Sequence, residues 1–355
     1  MSTTDLLNNA GVFPESENFQ NLHSIINRYD LNSRIFILAD PNTEKHCLPI
    51  LGKTFTTGTF QLIAIPAGET HKEISSCNII WDRFTLEKAD RSSILINLGG
   101  GMITDTGGFA ASVYKRGIRF IHIPTTLLAM VDASIGGKCG INYSGFKNHL
   151  GVFQTPEAVL LYTGFLKSLP HREIKAGIAE MIKHALVSDG DSWKLMQDQD
   201  EEIFFSDEAI LHSASVKVKI VSADPFEKGQ RKLLNFGHTA GHAFESYSVA
   251  NDKDHLLHGE AIAMGMLCES WLSWKISGLE KKALDDICGF ILKHFKKYQV
   301  NESMLSEMIA FMAQDKKNRD GRINFSLLKQ PGVGVTDMMT DEAVIKESLK
   351  WYIQL

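Results

Sequence analysis

The chain has 355 residues, of which 44% are hydrophobic and 22% are charged, and its formal net charge is −5. This is the composition of a globular protein large enough for two domains, and it excludes an intrinsically disordered chain. The slightly acidic balance provides no electrostatic footprint for DNA or an anionic membrane, so an anionic ligand would need a local basic pocket. We therefore expect a small-molecule partner, no nucleic acid and no membrane.

The five cysteines are scattered and odd in number, which argues against a disulfide framework and against a zinc site built from cysteines. The first residues lack the basic start and apolar core of a signal peptide, and no stretch reaches the ~18 apolar residues of a membrane span. These features predict a soluble, cytoplasmic protein.

Short apolar runs alternate with helical patterns in the first part of the chain. The runs begin at Arg34, Leu62, Ser93 and Phe120, and they are rich in β-branched residues and bounded by Gly, Pro or Asp. Parallel strands that are buried on both faces have this pattern. The sequence therefore predicts an α/β nucleotide-binding layer.

The pattern changes near residue 155. From about Pro156 onward, apolar residues recur at helical spacing, as at Ile174, Ile178 and Met181, and strand-like runs nearly vanish. We therefore predict an N-terminal α/β nucleotide-binding domain over 1–155 and a mainly α-helical domain over 156–355. The active site is expected in the cleft between them.

A glycine-rich turn follows the third predicted strand. Gly99, Gly100 and Gly101 allow backbone N–H groups to approach a pyrophosphate, and the helical pattern that follows would add unpaired N–H groups at its N-terminus. The turn predicts a dinucleotide ligand, although it is not the G-x-G-x-x-G fingerprint and has a purely structural alternative. Asp40 and Asn42, after the first run, could contact a ribose or adenine, or could form a strand-ending turn.

Histidines and carboxylates with metal-ligand spacing occur in the second part. His238 and His242 are four residues apart and share one helix face, so spacing alone would choose them as a pair of ligands. Glu245, one turn further, could be a third ligand or could orient a ligand. Upstream, Glu180 and Lys183 are spaced i,i+3, and they could project into a cleft or form a solvated ion pair.

Charged and polar side chains are dense in the same part of the sequence. The set comprises Lys217, Glu227, Arg231 and Asn235. This mixture suits an anionic, oxygen-rich substrate.

A series of motifs from about Asp40 to Leu328 carries a family resemblance. They are PAGE at 66–69 with Lys72, GGG at 99–101 with Asp105, YKRG at 114–117, IPTTLLAMVD at 123–132, GGK at 136–138, Lys147-Asn148, GIAEMIK at 177–183, LLNFGHT at 233–239 with His242, HGE at 258–260 and DKK at 315–317. Taken together and in this order, they resemble the 3-dehydroquinate synthase family of the sugar phosphate cyclases.

The resemblance implies a carbon–oxygen lyase of the shikimate pathway, on the route to chorismate and the aromatic amino acids. Such an enzyme converts 3-deoxy-D-arabino-heptulosonate 7-phosphate into 3-dehydroquinate and phosphate. The implied steps are transient oxidation by NAD, β-elimination of phosphate, re-reduction, ring opening and an intramolecular aldol reaction. NAD and a divalent metal, zinc or cobalt, are the implied cofactors. The resemblance thus makes 1–155 an NAD-binding α/β domain and 156–355 a mainly helical metal- and substrate-binding domain.

The same resemblance implies the site residues. The metal ligands would be Glu180, His238 and His258, which replaces the pair chosen by spacing, and His242 would handle protons. Glu227 would be a proton acceptor, and the other catalytic and substrate-holding positions would be Asp132, Lys138, Asn148, Lys183, Lys217, Arg231, Asn235 and one of Lys316 and Lys317. NAD would be held by Asp40, Asn42, Glu69, Lys72, Gly100, Gly101, Met102, Asp105, Thr125, Thr126, Lys138, Lys147, Phe165 and Ser168. Arg116 would reach the phosphate in the neighbouring subunit's site, which implies a homodimer.

Three other classes of protein compete with this interpretation. A metal-dependent NAD polyol dehydrogenase should lack the dense lysine and arginine set, and it would accumulate NADH with product. Another sugar phosphate cyclase, making a valiolone or a deoxy-inosose, is disfavoured by Arg231, Asn235 and His242 together. A non-catalytic scaffold is disfavoured because every metal and proton-handling position is retained.

Overall fold

The computed structural model describes residues 2–29, 34–55, 60–313 and 322–355. The strands are β1 (Val12–Pro14), β2 (Ile35–Ala39), β3 (Phe60–Ala64), β4 (Ile94–Gly99), β5 (Arg119–Pro124), β6 (Lys138–Tyr143), β7 (Phe146–Phe153), β8 (Ala158–Leu161), β9 (Ile323–Gln330) and β10 (Val333–Thr340). The helices are α1 (Thr3–Asn9), α2 (Gln20–Ile26), α3 (Pro41–His46), α4 (Leu48–Gly52), α5 (Ile74–Leu86), α6 (Gly101–Val113), α7 (His171–Ser188), α8 (Gly190–Gln197), α9 (Asp207–Ala223), α10 (His238–Asn251), α11 (His258–Leu272), α12 (Lys281–His294), α13 (Leu305–Ala313) and α14 (Glu342–Gln354).

The chain forms two compact units. The first contains Met1–Pro170 and Ile210–Ser222, and the second contains His171–Ala209 and Ala223–Leu355. Within the described residues, no helix combines the length and the apolar character that crossing a membrane requires.

A parallel sheet of six strands in the order β1-β8-β5-β4-β2-β3 forms the centre of the first unit. The four strands predicted from apolar runs, β2 to β5, are present, so the predicted α/β layer is confirmed. β2, β4 and β5 are largely buried, whereas β3, at the edge of the sheet, is mostly half-buried. β1 and β8 were not predicted. Because β8 follows residue 155, the sheet extends past the boundary that the sequence suggests, and the division at 155 stays a prediction.

Helix α6 packs directly on β4 and begins where that strand ends. A Cβ atom at Gly107 of α6 would lie 1.9 Å from Oδ1 of Asn97 in β4, so only glycine permits this approach. The remaining contacts are apolar, with Phe36, Leu95 and Phe120 of the strands in one buried cluster with Phe109 of α6. The N-terminus of α6 is therefore fixed at the carboxyl edge of the sheet, which is where ligands bind in open α/β sheets.

The second unit is mainly helical, as predicted. Its central helix, α11, is buried along almost its whole length, which is why its sequence is apolar on all sides. The unit also contains an antiparallel hairpin of β9 and β10, which the sequence analysis did not predict. In β10, a register shift between Val335 and Met338 and a positive φ of 58° at Asp337 interrupt the regular alternation that would identify a strand.

Candidate functional site

Glu180, His238 and His258 come from three helices of the second unit and meet at one point. Glu180 lies in α7, whereas His238 and His258 are the first residues of α10 and α11. Oε1 of Glu180 lies 3.6 Å from Nε2 of His238 and 3.5 Å from Nε2 of His258. Two ligand atoms that each lie about 2.1 Å from a tetrahedral zinc ion are about 3.4 Å apart. The three side chains are therefore spaced to share one divalent cation.

Hydrogen bonds orient both imidazoles. Nδ1 of His238 lies 3.2 Å from the carbonyl oxygen of Phe236, and Nδ1 of His258 lies 3.3 Å from Oε2 of Glu245, which is buried. Because a carbonyl only accepts, Nδ1 of His238 carries the proton and Nε2 keeps a lone pair. Carboxylates commonly accept a hydrogen bond from the second ring nitrogen of a metal-binding histidine. Glu245 accepts in this way from Nδ1 of His258, so Nε2 of the neutral ring keeps its lone pair. Of the two roles predicted for Glu245, the geometry supports the orienting one.

The electrostatics of the two imidazoles differ. Burial and the charge of Lys183 hold the pKa of His238 well below its usual value, against the attraction of Glu180, so its ring is neutral as a ligand must be. For His258, burial lowers the pKa, but Glu245 and hydrogen bonds to both carboxylates outweigh that effect and raise the pKa to about 9. A proton therefore competes with a cation at His258.

His242 lies in the same group of rings. Its ring centroid is 5.3 Å from that of His238 and 5.7 Å from that of His258. One nitrogen from each of these three histidines lies within 4.8 Å of the others, so the pair chosen by spacing also reaches the site. Glu180 forms a buried ion pair with Lys183, and its Oε1 faces both His238 and His258. This position supports the ligand set that includes Glu180 over the histidine pair chosen by spacing.

The turn before α10 carries three of the predicted polar residues. Asp224 organises it by accepting hydrogen bonds from three backbone N–H groups at 2.7–3.1 Å. Glu227 has a left-handed φ of 56°, and its Oε1 accepts a hydrogen bond of 2.6 Å from Nδ2 of Asn235. Arg231 is buried and donates to the carbonyl oxygen of Pro225 at 2.6 Å. The structure thus brings together a carboxylate, an amide and a guanidinium.

In the first unit, the glycine turn joins the end of β4 to the start of α6, as predicted. Gly100 is the N-cap residue and provides no side-chain cap for the N–H groups of the first helical turn. A Cβ atom at Gly100 would lie 3.0 Å from Cγ2 of Thr126, and the N–H group of Thr125 donates to the carbonyl oxygen of Gly99 at 3.0 Å. The glycines and threonines predicted to bind NAD therefore lie close together, and the helix N-terminus beside them fits a pyrophosphate.

Several predicted residues of this unit contact one another. Nζ of the buried Lys72 donates to Oδ2 of Asp105 and to Oδ1 of Asn148, each at 2.6 Å. Burial raises the pKa of Asp105 despite the neighbouring Lys72. Nζ of Lys217 donates to Oδ1 of Asp132 at 2.7 Å. These pairs fix the lysines in place before any ligand binds.

Other predicted residues have structural contacts or are exposed. Asp40 caps α3, and its Oδ1 accepts from the N–H groups of Asn42 at 2.8 Å and Thr43 at 3.1 Å, which is the strand-ending turn named as the alternative. Phe165 is buried, and its carbonyl oxygen accepts a hydrogen bond of 3.1 Å from Oγ of Ser168.

The remaining predicted residues have fewer described contacts. Lys138, Lys147 and Arg116 are exposed. Glu69 is part of a short 3₁₀ turn, and Met102 lies in the first turn of α6. Lys316 and Lys317 lie outside the described residues.

The sequence analysis missed a charged clamp at the start of α11. Nε and Nη2 of Arg172 in α7 each donate to Glu260 at 2.8 Å, and Nη1 donates to Asp254 at 2.6 Å. Oε2 of Glu260 also accepts from the N–H group of Leu257, the N-cap residue of α11. The clamp joins the helix of Glu180 to the helix of His258. The signal in the sequence was Glu260 at the third position of the helix, where a glutamate often accepts a hydrogen bond from the N-cap backbone.

A helix N-terminus at the end of a parallel strand and a cluster of histidines with a carboxylate are typical of enzymes that use a nucleotide and a metal. The family model described as 3-dehydroquinate synthase N-terminal matches residues 62–176, and the model described as 3-dehydroquinate synthase C-terminal matches residues 177–318. The chain therefore belongs to the 3-dehydroquinate synthase family, which confirms the resemblance found in the sequence.

Relatives of known name span most of the chain. It is 41% identical over 329 residues to the 3-dehydroquinate synthase of Parabacteroides distasonis, with 92% of each protein covered. It is 38% identical over 331 residues to that of Legionella pneumophila, with 92% of this chain and 89% of the relative covered. A solved structure of 2-epi-5-epi-valiolone synthase from Streptomyces hygroscopicus, with NAD⁺ and Zn²⁺ bound, has a TM-score of 0.85 at 25% identity and covers 97% of this chain and 96% of its own. These comparisons confirm the predicted fold class.

Proposed function

We propose that this chain converts 3-deoxy-D-arabino-heptulosonate 7-phosphate into 3-dehydroquinate and phosphate, using NAD and a divalent cation. The family match and the 38–41% identity to named synthases support the reaction. The observation that carries the proposal within the structure is the position of Glu180 at 3.5–3.6 Å from the Nε2 atoms of His238 and His258.

We propose that Glu180, His238 and His258 hold the cation, zinc or cobalt, through one carboxylate oxygen and two imidazole nitrogens. When bound, the cation and NAD would supply acidification of a substrate hydroxyl and a hydride acceptor. Glu245 and the carbonyl group of Phe236 hold the two rings with Nε2 directed at Glu180. A solved relative at 25% identity binds NAD⁺ and Zn²⁺, which supports this pair of cofactors.

NAD is assigned to the α/β part of the chain. The N-terminus of α6 and the N–H groups of Gly100 and Gly101 would bind its pyrophosphate, because they combine unpaired donors with a favourable helix dipole. Asp105 and Lys72, held together at 2.6 Å, would bind the polar groups of the dinucleotide beside it. The other assigned positions are Asp40, Asn42, Glu69, Met102, Thr125, Thr126, Lys138, Lys147, Phe165 and Ser168.

The substrate carries a carboxylate and a phosphate, so cationic side chains are needed to bind and orient it. Arg231 and Lys183 suit this role because both are buried, and their positions are fixed by Pro225 and Glu180. Buried cations also stabilise developing negative charge more strongly than exposed ones. The other positions assigned to substrate are Asp132, Lys138, Asn148, Lys217, Asn235 and one of Lys316 and Lys317.

Two residues are assigned to proton transfer. His242 stands beside the proposed ligands, with its ring 5.3 Å from that of His238, and it would exchange a proton with the substrate hydroxyl. Glu227 would accept a proton, and the hydrogen bond from Asn235 at 2.6 Å fixes the orientation of its carboxylate.

Arg116 is assigned to substrate binding across a subunit interface. Arg116 lies in a short turn after α6 and is exposed, with a left-handed φ of 66°. We assign it to the substrate phosphate in a neighbouring subunit, which requires a homodimer.

We also place the protein in the cytoplasm. The five cysteines are free thiols and are buried, which suits the reducing cytoplasm.

The test is phosphate release from the heptulosonate phosphate with purified protein. We expect release that requires NAD and is lost after treatment with a chelator, and no release from a heptulose 7-phosphate that lacks the carboxylate. Equal release from the substrate without the carboxylate would indicate a different sugar phosphate cyclase. Oxidation of simple polyols with no phosphate release would indicate a dehydrogenase.

A further inference from the structure

Glu269 is a carboxylate of α11 that has no solvent exposure and binds the first turn of α10. Its Oε2 accepts a hydrogen bond of 2.7 Å from the N–H group of Gly237, and its Oε1 accepts one of 2.9 Å from the N–H group of Ala240. Gly237 is the N-cap residue of α10, and His238 is the first residue of that helix. The two bonds therefore bracket His238 in the chain.

The start of α10 needs such an acceptor. The first N–H groups of a helix have no partner within the helix and carry partial positive charge, so they are usually bound by the side chain of the N-cap residue. Gly237 has no side chain, and no side-chain cap occurs at this helix start. Glu269 supplies the missing acceptor from a neighbouring helix.

Close backbone packing joins the same two helices. A Cβ atom at Gly265 of α11 would lie 2.0 Å from the carbonyl oxygen of Gly237 and 2.4 Å from the backbone nitrogen of Gly241. Gly237 itself has a left-handed φ of 79°, and a Cβ there would lie 2.5 Å from Cγ of Met266. The two backbones are so close that the start of α10 cannot move further toward α11. The hydrogen bonds to Glu269 hold it at this position.

We propose that Glu269 is a positioning residue for the metal site. His258 begins α11, and Glu269 follows on the same helix after about three turns. One helix thus carries one imidazole ligand and, through Glu269, sets the place of the other. Glu269 contacts the backbone on either side of His238 and acts through it. The inference rests on the proposed ligand set of Glu180, His238 and His258.

The variant Glu269→Gln tests the proposal with little change in shape. It replaces one of the two accepting oxygens by an NH₂ group, which would face an N–H donor of α10. The matched control is Ser270→Ala, because Ser270 is the next residue of α11, is equally buried, and its Oγ has no hydrogen-bond partner among the described residues. The measurements are Co²⁺ affinity by competition with a chelator, the visible absorption spectrum of bound Co²⁺, and thermal unfolding of the metal-free protein.

We expect Glu269→Gln to bind Co²⁺ about 10–100-fold more weakly and with an altered spectrum, as for residues that support metal ligands. Ser270→Ala should match the wild type in both. Glu269→Asp, which keeps the charge on a shorter side chain, should recover part of the affinity.

Wild-type Co²⁺ affinity and spectrum in Glu269→Gln, with only the melting temperature lowered, would overturn the proposal. So would failure of both Glu269 variants to fold while Ser270→Ala folds, because Glu269 would then be needed for the fold as a whole. A wild-type protein that binds no Co²⁺, or a His258→Ala variant that binds it normally, would instead reject the ligand set.

Discussion

The glycine turn of the first unit and the proposed metal-ligand cluster of the second are built in opposite ways. The turn is a strand end, three glycines and a helix start that follow one another in the chain, and backbone groups would bind the proposed pyrophosphate. The cluster takes one side chain from each of three helices, and hydrogen bonds from further residues fix the rings. A site of the first kind is visible in a short stretch of sequence, whereas a site of the second kind depends on how distant segments pack. The two sites should therefore fail separately when residues are changed.

The largest effect is expected from His258→Ala. Removal of one of three protein ligands should abolish turnover and metal content, because the remaining two bind a divalent cation much more weakly. NAD affinity and the secondary structure should be unchanged. The measurements are metal content after gel filtration and NAD titration, with His255→Ala, an exposed histidine of the preceding turn, as control. Normal metal content in His258→Ala would remove it from the ligand set.

The reciprocal change is Gly100→Val. The Cβ atom alone would lie 3.0 Å from Thr126, and two further methyl groups would occupy the space proposed for the pyrophosphate. We expect NAD affinity to fall by about tenfold or more, since even small displacements at such loops are costly, and metal content to stay normal. Gly52→Val is the control, because a Cβ at Gly52 meets no atom within 4 Å. Unchanged NAD affinity in Gly100→Val would show that the pyrophosphate binds elsewhere.

Arg116 tests whether a residue of one subunit serves the site of another. It is exposed in its own chain, as this role requires. Arg116→Ala should weaken substrate binding and turnover without lowering metal content. A mixture of Arg116→Ala and Lys183→Ala chains should regain activity, because a mixed dimer has one site with both residues intact. Subunit exchange must be shown separately with labelled chains. Exchange without any recovery of activity would reject the role of Arg116 across the interface.

The last effect needs no mutation and is the pH dependence of metal binding. In the metal-free protein, His258 has a pKa raised to about 9, so it is protonated below that pH and cannot coordinate a cation. Affinity should therefore increase by up to about tenfold per pH unit from neutral pH, and level off above pH ~9. The backbone N–H groups of the glycine turn do not titrate here, so NAD affinity should change less. Calorimetry in buffers of different ionisation enthalpy should show proton release on binding; affinity that is independent of pH would contradict the His258–Glu245 pairing.

The contrast between the two sites also explains what the sequence could predict. The strands β2 to β5 and the turn after β4 were predicted because each is a continuous apolar run with local boundaries. β1 has only three residues and shows no period, and β10 is interrupted by its register shift. For the metal site, spacing chose His238 and His242, because two histidines of one helix are recognisable without a fold.

Glu180 and His258 could be assigned only through the family motifs, because they lie on other helices. Spacing named Glu245 as a third ligand or an orienting residue, but it did not decide between the two roles. Its contact with His258, the Arg172–Glu260 clamp and the cap by Glu269 depend on helix packing, which no spacing rule encodes. Sequence reasoning thus reached the residues that carry motifs, and the structure added the residues that hold them in place.

In the proposed reaction, oxidation is temporary, so that NAD is regenerated in every turnover and is not consumed. The most direct test of this claim follows phosphate release and the absorbance of NADH together, with the heptulosonate phosphate in large excess over NAD. The account predicts many moles of phosphate per mole of NAD and no steady rise of NADH. Growth of NADH in proportion to product, with phosphate release ending when NAD is consumed, would contradict it.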